Sequence, residues 1–495
     1  MSPGRAVALI IIIGTALRLV VASTTGLGID ESYMASNARI LSLSYVDHPP
    51  LHVWLAGLAA RLAGSEAPIV LRLPFVFLFA GSTWLIFLLT RRLFGPEAGL
   101  WAVIAFSIAP VLSLASGSWM LPGGPLVFFL LAAAVAVADI VFAPAPPALP
   151  VLRWILAGCL AGLALLSKYS AIFFFAGVFV FLATTPGGRR WLATPGPWIG
   201  VLVGALLFVP VVVWNARNGM AGLAFQEGRF DEFSISAGNL LLNIGGQALY
   251  LTPWLFLLLA YALVRTILAG PFEPKGWLLG LLAIGPIAVF TILSLSVRSL
   301  PHWSLPGWLF AFPLAGREAA RLAALRPTLA RWLAMAASLI FAVSVTAFVA
   351  QAASGAIASA RSVKGRPADR TVYLVDWTEL KDALSERGLL TTDTVVAADD
   401  WTTAGKASYA LGAGVPVLCL CKNPHHFAAR QDQRSFSGRD VIVVSEAGGK
   451  QRRRGADGYF ASMTPLAPVE ITRAGKVVLG LDLAIGHSLQ FPAPP

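Results

Sequence analysis

The chain has 495 residues, of which 57% are hydrophobic and 13% charged, and its formal net charge is +12. This balance excludes a soluble globular protein of such length and indicates a polytopic membrane protein. In a soluble protein the excess of Lys and Arg would suggest nucleic acid as a partner. Here the basic residues of the apolar part group at alternate helix ends, which predicts membrane orientation and no nucleic-acid binding.

A membrane-spanning helix needs ~20 apolar residues. Eleven apolar stretches are predicted to cross or enter the bilayer: 6–25, 69–90, 97–116, 123–142, 154–167, 170–184, 197–214, 246–264, 277–296, 303–316 and 332–352. The basic loops between them share one side, which the positive-inside rule assigns to the cytoplasm. We therefore expect a membrane domain over 1–355, with loops 26–68 and 215–245 on the outer side. An outer C-terminal domain is expected over 356–495.

The first long polar interruption, residues 26–74, contains Asp30-Glu31 and then Asp47-His48-Pro49-Pro50. A carboxylate placed directly after an apolar helix is costly to expose to lipid, and it is therefore a candidate active-site residue. The alternative is that Asp30 only caps a helix that begins near Ser32. Residues 50–63 have apolar side chains on one helical face, which predicts a helix lying in the membrane interface.

Lys168 interrupts the apolar run 154–183. Two short helices joined near Lys168 preserve the alternation of basic loops, and each is shorter than the ~30 Å hydrocarbon core. Their junction is then predicted to lie in a recess below the outer surface, where an ammonium group suits an anionic ligand. The alternative is a lysine that snorkels to the headgroups.

The composition changes near residue 355, and 14 of the 25 acidic residues lie from Asp369 to Asp482. Short apolar runs at 371–375, 394–399, 415–420, 440–446 and 476–484 alternate with helix-like stretches at 377–388 and 401–412. This pattern predicts a small α/β domain. The patch Arg452-Arg453-Arg454 is either a solvated loop or a contact for acidic groups. Packing is the favoured role of Cys419 and Cys421.

Several motifs resemble one family in the same order along the chain. Asp30-Glu31-Ser32-Tyr33 and Asp47-His48-Pro49-Pro50-Leu51 are similar to the signature of bacterial lipid-linked-sugar glycosyltransferases of the GT-C type. These enzymes are related to protein O-mannosyltransferases and to the aminoarabinose transferase of lipid A. Further resemblances are 70–74, 166–170, 210–215 with Phe225-Gln226, His302-Trp303, Asp376-Trp377 with Leu380, and 394–421.

The resemblance implies a polytopic α-helical membrane protein with a GT-C fold of about 11 transmembrane helices and a small C-terminal α/β periplasmic domain. It implies inverting transfer of a sugar from a polyprenyl-phosphate donor to an envelope acceptor (lipid A, another glycan or protein) at the periplasmic face of the bacterial inner membrane. Asp30 is the implied general base. The implied substrate-binding residues are Glu31, Tyr33, Asp47, His48, Arg72, Lys168, Tyr169, Arg217, Arg298 and His302. No cofactor is certain, but some family members bind a divalent metal ion, for which Glu31, His48 and His302 are candidate ligands.

One position departs from the family. The stretch Leu121-Pro122-Gly123 has glycine where the family usually has a second aspartate. Any acceptor or metal role of that carboxylate is missing here, so altered or lost activity is one alternative. The other is that the small Gly123 admits a bulkier acceptor. Two alternatives to the enzyme therefore remain: a flippase for lipid-linked sugars and a non-catalytic relative.

Overall fold

The computed structural model describes residues 1–144, 149–228, 235–297, 299–356, 362–363, 366–447 and 458–491. The chain divides into two compact units. The helical unit comprises Met1–Leu19, Leu43–His52 and Arg72–Ala342. The sheet unit comprises Val20–Ser42, Val53–Leu71 and Val343–Pro495.

The helices of the first 354 residues are, in chain order, α1 Pro3–Thr24, α2 Ile29–Ala38, α3 Leu51–Ala63, α4 Pro68–Phe94, α5 Pro96–Ser107, α6 Gly123–Val141, α7 Pro150–Leu165, α8 Ile172–Thr184, α9 Pro186–Leu192, α10 Pro195–Arg217, α11 Ala221–Glu227, α12 Ala237–Leu251, α13 Pro253–Ala269, α14 Pro274–Leu293, α15 Leu305–Leu325 and α16 Pro327–Ser354. Nine of these helices begin at a proline, which lacks an N–H group and therefore leaves no donor unsatisfied at a first helical position.

Each of the eleven predicted spans coincides with helical structure. Among the described residues, seven helices are long and apolar enough to cross a membrane, or eight if the bent segment 169–192 is one span. The number of described helices that are long and apolar enough to cross a membrane is therefore lower than the eleven predicted spans. Helices α5 and α7 are short, and α15 carries Arg317, Glu318 and Arg321 in its last turns. The predicted span 246–264 is broken at Thr252, which has a φ of 69° and precedes a proline.

Small residues allow α7 and α10 to pack closely. Gly158 and Gly162 on α7 face Gly200 and Gly204 on α10. A Cβ atom added at Gly158 would lie 2.0 Å from the Gly200 carbonyl oxygen, and one added at Gly162 would lie 2.9 Å from the Gly204 Cα. This is the small-xxx-small packing of membrane helices, in which close backbone contact replaces a hydrophobic driving force. It fixes α7, which leads into Lys168.

The remaining elements belong to the sheet unit. They are the strands β1 Ser362–Val363, β2 Arg366–Pro367, β3 Val396–Ala398, β4 Val417–Cys419, β5 Val441–Glu446, β6 Phe460–Arg473 and β7 Lys476–Leu489, and the helices α17 Thr378–Glu386, α18 Trp401–Leu411 and α19 Phe427–Arg430. Five strands form a sheet in the order β4-β3-β5-β7-β6. The strands β4, β3 and β5 are parallel, and β5, β7 and β6 are antiparallel. The predicted small α/β domain is confirmed, including both helices and four of its five strands.

One predicted strand is wrong. Residues 371–375 were expected to be extended because they are β-branched and aromatic, but Arg370–Leu374 form a 3₁₀-helix. The Asp369 carboxylate accepts hydrogen bonds from the backbone N–H and the hydroxyl of Thr371, which favours a turn at this point. Arg473 also pairs with Asp369 at 2.7 Å, and both side chains are buried. Local capping therefore decides the conformation here, and β-propensity does not.

Candidate functional site

Asp30 lies in the first turn of α2, where it is exposed, whereas the residues from Glu31 to Ala38 are all buried. The N-cap is Gly28, and its backbone N–H donates to Glu31 Oε2 at 2.9 Å. The alternative that Asp30 caps a helix beginning near Ser32 is therefore wrong. Glu31 closes the helix end, and Asp30 lies in the first turn of α2 on its exposed side.

The backbone just before α2 is held by the C-terminal part of the sheet unit. Leu27 N–H donates to Asp376 Oδ1 at 2.9 Å. The Lys406 ammonium on α18 donates to the carbonyl of Leu27 and, at 3.0 Å, to the carbonyl of Val375. Lys406 is 2% exposed, so these hydrogen bonds form away from water, where charge-assisted bonds are strong. They fix the chain three residues before Asp30.

Tyr33 attaches the other side of α2. Its hydroxyl accepts a hydrogen bond from the backbone N–H of His426 at 2.9 Å. Its ring packs edge-on against Trp401 at 5.4 Å and lies 5.7 Å from Phe427. A Cβ atom at Gly405 would be 2.9 Å from the Tyr33 Cβ, so glycine is required for this approach. The structure places Tyr33 as a buried anchor of the helix that carries Asp30.

The second motif, residues 43–52, belongs to the helical unit. Leu51 N–H donates to the carbonyl of Leu166 at 3.0 Å, which joins this segment to the turn after α7. The Gln226 side chain on α11 donates to the Asp47 carbonyl at 2.9 Å. Asp47 is 4% exposed. The motifs around Asp47, Leu166 and Gln226, which are distant in sequence, therefore meet in one place.

Lys168 lies at the break between two short helices, as the sequence predicts. Its backbone is extended, with φ of −159° and ψ of 138°, between the end of α7 and a 3₁₀ turn that leads into α8. Its side chain is half-buried. In the same turn the Tyr169 hydroxyl lies beside Ser44 and Asn215 and within the electrostatic reach of Asp47. Lys168, Tyr169 and Asp47 are thus brought into one polar region of the helical unit.

Sequence reasoning did not identify His52, which is fully buried near this region. Burial lowers the pKa of His52 to about 3, although the Asp47 charge and a hydrogen bond with the Pro49 backbone act in the opposite direction. Its ring lies 5.8 Å from that of His48, in a perpendicular arrangement. Its position five residues after Asp47, beside the Asp47-His48-Pro49-Pro50 motif, was the available signal.

The other predicted cations differ in accessibility. Arg72 is fully buried in α4, and Arg217 is exposed in the last turn of α10. His302 is half-buried, and its ring lies 6.4 Å from that of Tyr250. Arg298 lies outside the described residues. The same holds for other residues to which the sequence drew attention, namely Arg229, Asp231, Glu232 and Arg452-Arg453-Arg454.

The described residues do not provide a ready metal site. In that part of the chain, no group of three His, Cys, Asp or Glu side chains is placed to hold a metal ion. The Glu31 carboxylate is engaged at the start of α2, where it accepts the Gly28 N–H. A divalent ion needs several oxygen or nitrogen ligands together. We therefore derive no step through a metal.

Gly123 is the first residue of α6. A Cβ atom at this position would lie 2.7 Å from the Ser116 hydroxyl oxygen. An acidic side chain at position 123 would require Ser116 to move.

Part of the sequence is similar to known proteins. Residues 47–214 match the family model described as dolichyl-phosphate-mannose-protein mannosyltransferase. The lipid A galacturonosyltransferase RgtD of Rhizobium johnstonii is 24% identical over 264 residues, 52% of this chain and 54% of the relative. The match thus spans about half the length of that relative.

Two solved structures share the fold. The structure of ArnT from Cupriavidus metallidurans bound to undecaprenyl phosphate aligns with a TM-score of 0.65 at 16% identity, covering 98% of this chain and 99% of that one. The oligosaccharyltransferase of Archaeoglobus fulgidus aligns with a TM-score of 0.53 at 12% identity, covering 95% of this chain and 72% of that one.

The fold and the two motif regions define a multi-spanning membrane protein of the GT-C type with a small C-terminal sheet domain. Part of its sequence is similar to the dolichyl-phosphate-mannose-protein mannosyltransferase family model and to a lipid A galacturonosyltransferase.

Proposed function

We propose that this protein is a glycosyltransferase that moves a sugar from a polyprenyl-phosphate donor to a hydroxyl group of an envelope acceptor, with Asp30 as the general base. The observation that carries the proposal is the exposure of Asp30 on a helix whose following eight residues are all buried. Because packing holds the rest of this helix, the backbone that carries the exposed Asp30 carboxylate is held in a fixed position.

The proposed step is a single displacement. The acceptor oxygen attacks the anomeric carbon, the bond between that carbon and the donor phosphate oxygen breaks, and the polyprenyl phosphate leaves with the bonding electrons. Asp30 takes the proton of the acceptor hydroxyl, as a general base in hydrogen-bond reach does. The configuration at the anomeric carbon is inverted because there is one attack on one face.

The leaving phosphate needs preorganised positive charge. We assign this role to Lys168, which precedes Tyr169 in the turn after α7, with Arg217 and His302 as further cations and Arg72 as a buried one. A lysine binds phosphate as a compact point charge. By the positive-inside pattern, we place the reaction at the periplasmic face of a bacterial inner membrane.

Proteoliposomes that contain the purified full chain and a polyprenyl-phosphate-linked sugar test this proposal. With envelope lipids as acceptors, the account predicts release of polyprenyl phosphate in equal amount to the sugar that appears on the acceptor. A flippase would move the donor between leaflets without releasing polyprenyl phosphate, and a non-catalytic relative would do neither. Mass spectra of envelope glycolipids from a deletion strain would name the sugar and the acceptor.

A further inference from the structure

Two of the three cysteines lie at the end of β4, with one residue between them. Cys419 is the last residue of β4 and pairs with Ala398 of β3, and the Leu420 N–H donates to the Ala398 carbonyl at 2.8 Å. Cys421 follows at a bend of the chain, where the next residue, Lys422, is exposed. The proposed sugar transfer uses neither thiol, so the pair needs an explanation of its own.

The strand directs both thiols to the same side of the sheet. Side chains alternate across an extended strand, so residues two positions apart share a face. Leu418 and Leu420 belong to the apolar core on one face. Cys419 and Cys421 therefore point to the other face, and there their side chains are hydrogen-bonded to each other.

The two thiols differ in exposure and in acidity. Cys419 is 3% exposed, whereas Cys421 is half-buried. The hydrogen bond from the Cys419 thiol lowers the pKa of Cys421, although burial acts in the opposite direction. A hydrogen bond with the Asn423 backbone also lowers it, whereas the charges of Asp399 and Asp400 act to raise it. The hydrogen bond to Cys421, and then burial, raise the pKa of Cys419.

This asymmetry gives the thiols separate roles. The nucleophile in thiol chemistry is the thiolate, and a reactive cysteine is an accessible thiolate beside a second thiol that can resolve its adduct. Cys421 meets the first description, because it is the more accessible of the two and has the lowered pKa. Cys419, buried directly beside it, meets the second.

A bond between these two sulfur atoms is within reach, but it closes a very small ring. Cα atoms two residues apart on an extended strand are separated by about 6.6 Å, and disulfides join Cα atoms up to about 6.8 Å apart. A loop as short as Cys419–Cys421 has little chain entropy to lose, so the bond adds little stability. A disulfide of this kind is readily reduced, which makes the pair a reversible site and not a structural cross-link.

We infer that Cys419 and Cys421 form a reversible dithiol site that is oxidised by external disulfides. In the first step the Cys421 thiolate attacks one sulfur of the external disulfide, a mixed disulfide forms, and the other sulfur leaves as a thiolate. In the second step Cys419 loses its proton and attacks the Cys421 sulfur, and the second external thiolate leaves. In total the two cysteines lose two electrons and two protons, and the external disulfide becomes two thiols. The site is separate from the sugar transfer and does not depend on it.

The test uses the full chain in nanodiscs, reduced with dithiothreitol and then incubated with glutathione disulfide as the probe. The protein is denatured, and a maleimide polymer that adds mass at every free thiol counts the thiols. The reduced protein should show three free thiols, and the oxidised protein should show only that of Cys159. Dithiothreitol should restore all three. Three free thiols after incubation with glutathione disulfide would overturn the inference.

Single variants test the two roles separately. In Cys419→Ser the hydroxyl keeps a donor beside Cys421, and the mixed disulfide with glutathione should accumulate because no second thiol resolves it. In Cys421→Ser the buried Cys419 should stay reduced. Cys159→Ser is the matched control and should oxidise at the wild-type rate, because Cys159 lies in α7. A lasting glutathione adduct in the wild type, or equal adducts in Cys419→Ser and Cys421→Ser, would overturn the inference.

Discussion

Replacement of Lys406 by methionine tests whether the C-terminal part of the sheet unit holds the helix that carries Asp30. Methionine has a similar length but cannot donate the hydrogen bonds that Lys406 makes to the carbonyls of Leu27 and Val375. Each bond from a charged donor contributes about 1.5–3 kcal/mol, and removal of a buried charge offsets part of the loss. We therefore expect the free energy of unfolding of the sheet unit to fall by ~3 kcal/mol.

The assay combines urea unfolding with sugar-transfer kinetics in nanodiscs. Loosening of the backbone before Asp30 should lower kcat more than it raises the donor KM, because Lys406 touches neither substrate in this account. Lys381→Met on α17 is the matched control, since Lys381 is exposed. Tyr33→Phe removes the acceptor for the His426 N–H but keeps the ring, and it should cost only ~1 kcal/mol. Wild-type stability and wild-type kcat in Lys406→Met would refute the reasoning.

Three further predictions follow from particular residues. Burial lowers the pKa of His52 to about 3, so His52 takes up a proton at higher pH in the unfolded state than in the folded state. The free energy of unfolding should therefore fall by ~2 kcal/mol between pH 7 and pH 5. In His52→Gln, the free energy of unfolding measured at these pH values should change less. Lys168→Ala should raise the donor KM and slow single-turnover transfer, and Lys168→Arg should be partly active. The control Lys275→Ala should match wild type. If Lys168 only snorkels to the headgroups, both Lys168 variants should also match wild type. Asp369→Asn should destabilise the sheet unit by ~3 kcal/mol because it breaks the buried pair with Arg473; an unchanged urea midpoint would contradict that cost.

Asp369 also has a defined pH dependence. Burial tends to raise its pKa, but hydrogen bonds from Thr371, Arg473 and Gln351 outweigh that effect and lower the pKa below its usual value. Its contribution to stability is therefore complete above the unfolded-state pKa. It is lost as the pH falls through the lower pKa of the folded state.

Local signals in the sequence were sufficient for part of the site. Asp30 is marked by an abrupt change from an apolar helix to an acidic pair, and the break at Lys168 is marked by one charge in an apolar run. Both depend on residues that are neighbours in the chain. The contacts that hold Asp30 in place could not be predicted in this way, because Lys406 and Leu27 are 379 residues apart in sequence.

The errors in the sheet have a similar cause. The strand β6 was missed because Pro465 and Pro468 argue against a strand. In the structure β6 is an edge strand with an irregularity between Leu466 and Val469, and an edge tolerates proline because one side needs no hydrogen-bond donor. Residues 371–375 have high β-propensity, but capping by Asp369 turns this segment into a 3₁₀-helix.

The most direct test of the central claim is the transfer rate of Asp30→Asn in the proteoliposome assay. Asparagine keeps the size of the side chain and removes its basicity, and the exposed position of Asp30 means that folding should be unchanged. The account predicts a loss of ~10²–10⁴-fold in single-turnover rate, the usual effect of losing a general base. Asp382→Asn, at another exposed carboxylate of the sheet unit, should transfer sugar at the wild-type rate. Near-normal transfer by folded Asp30→Asn protein would contradict the account and remove Asp30 from the mechanism.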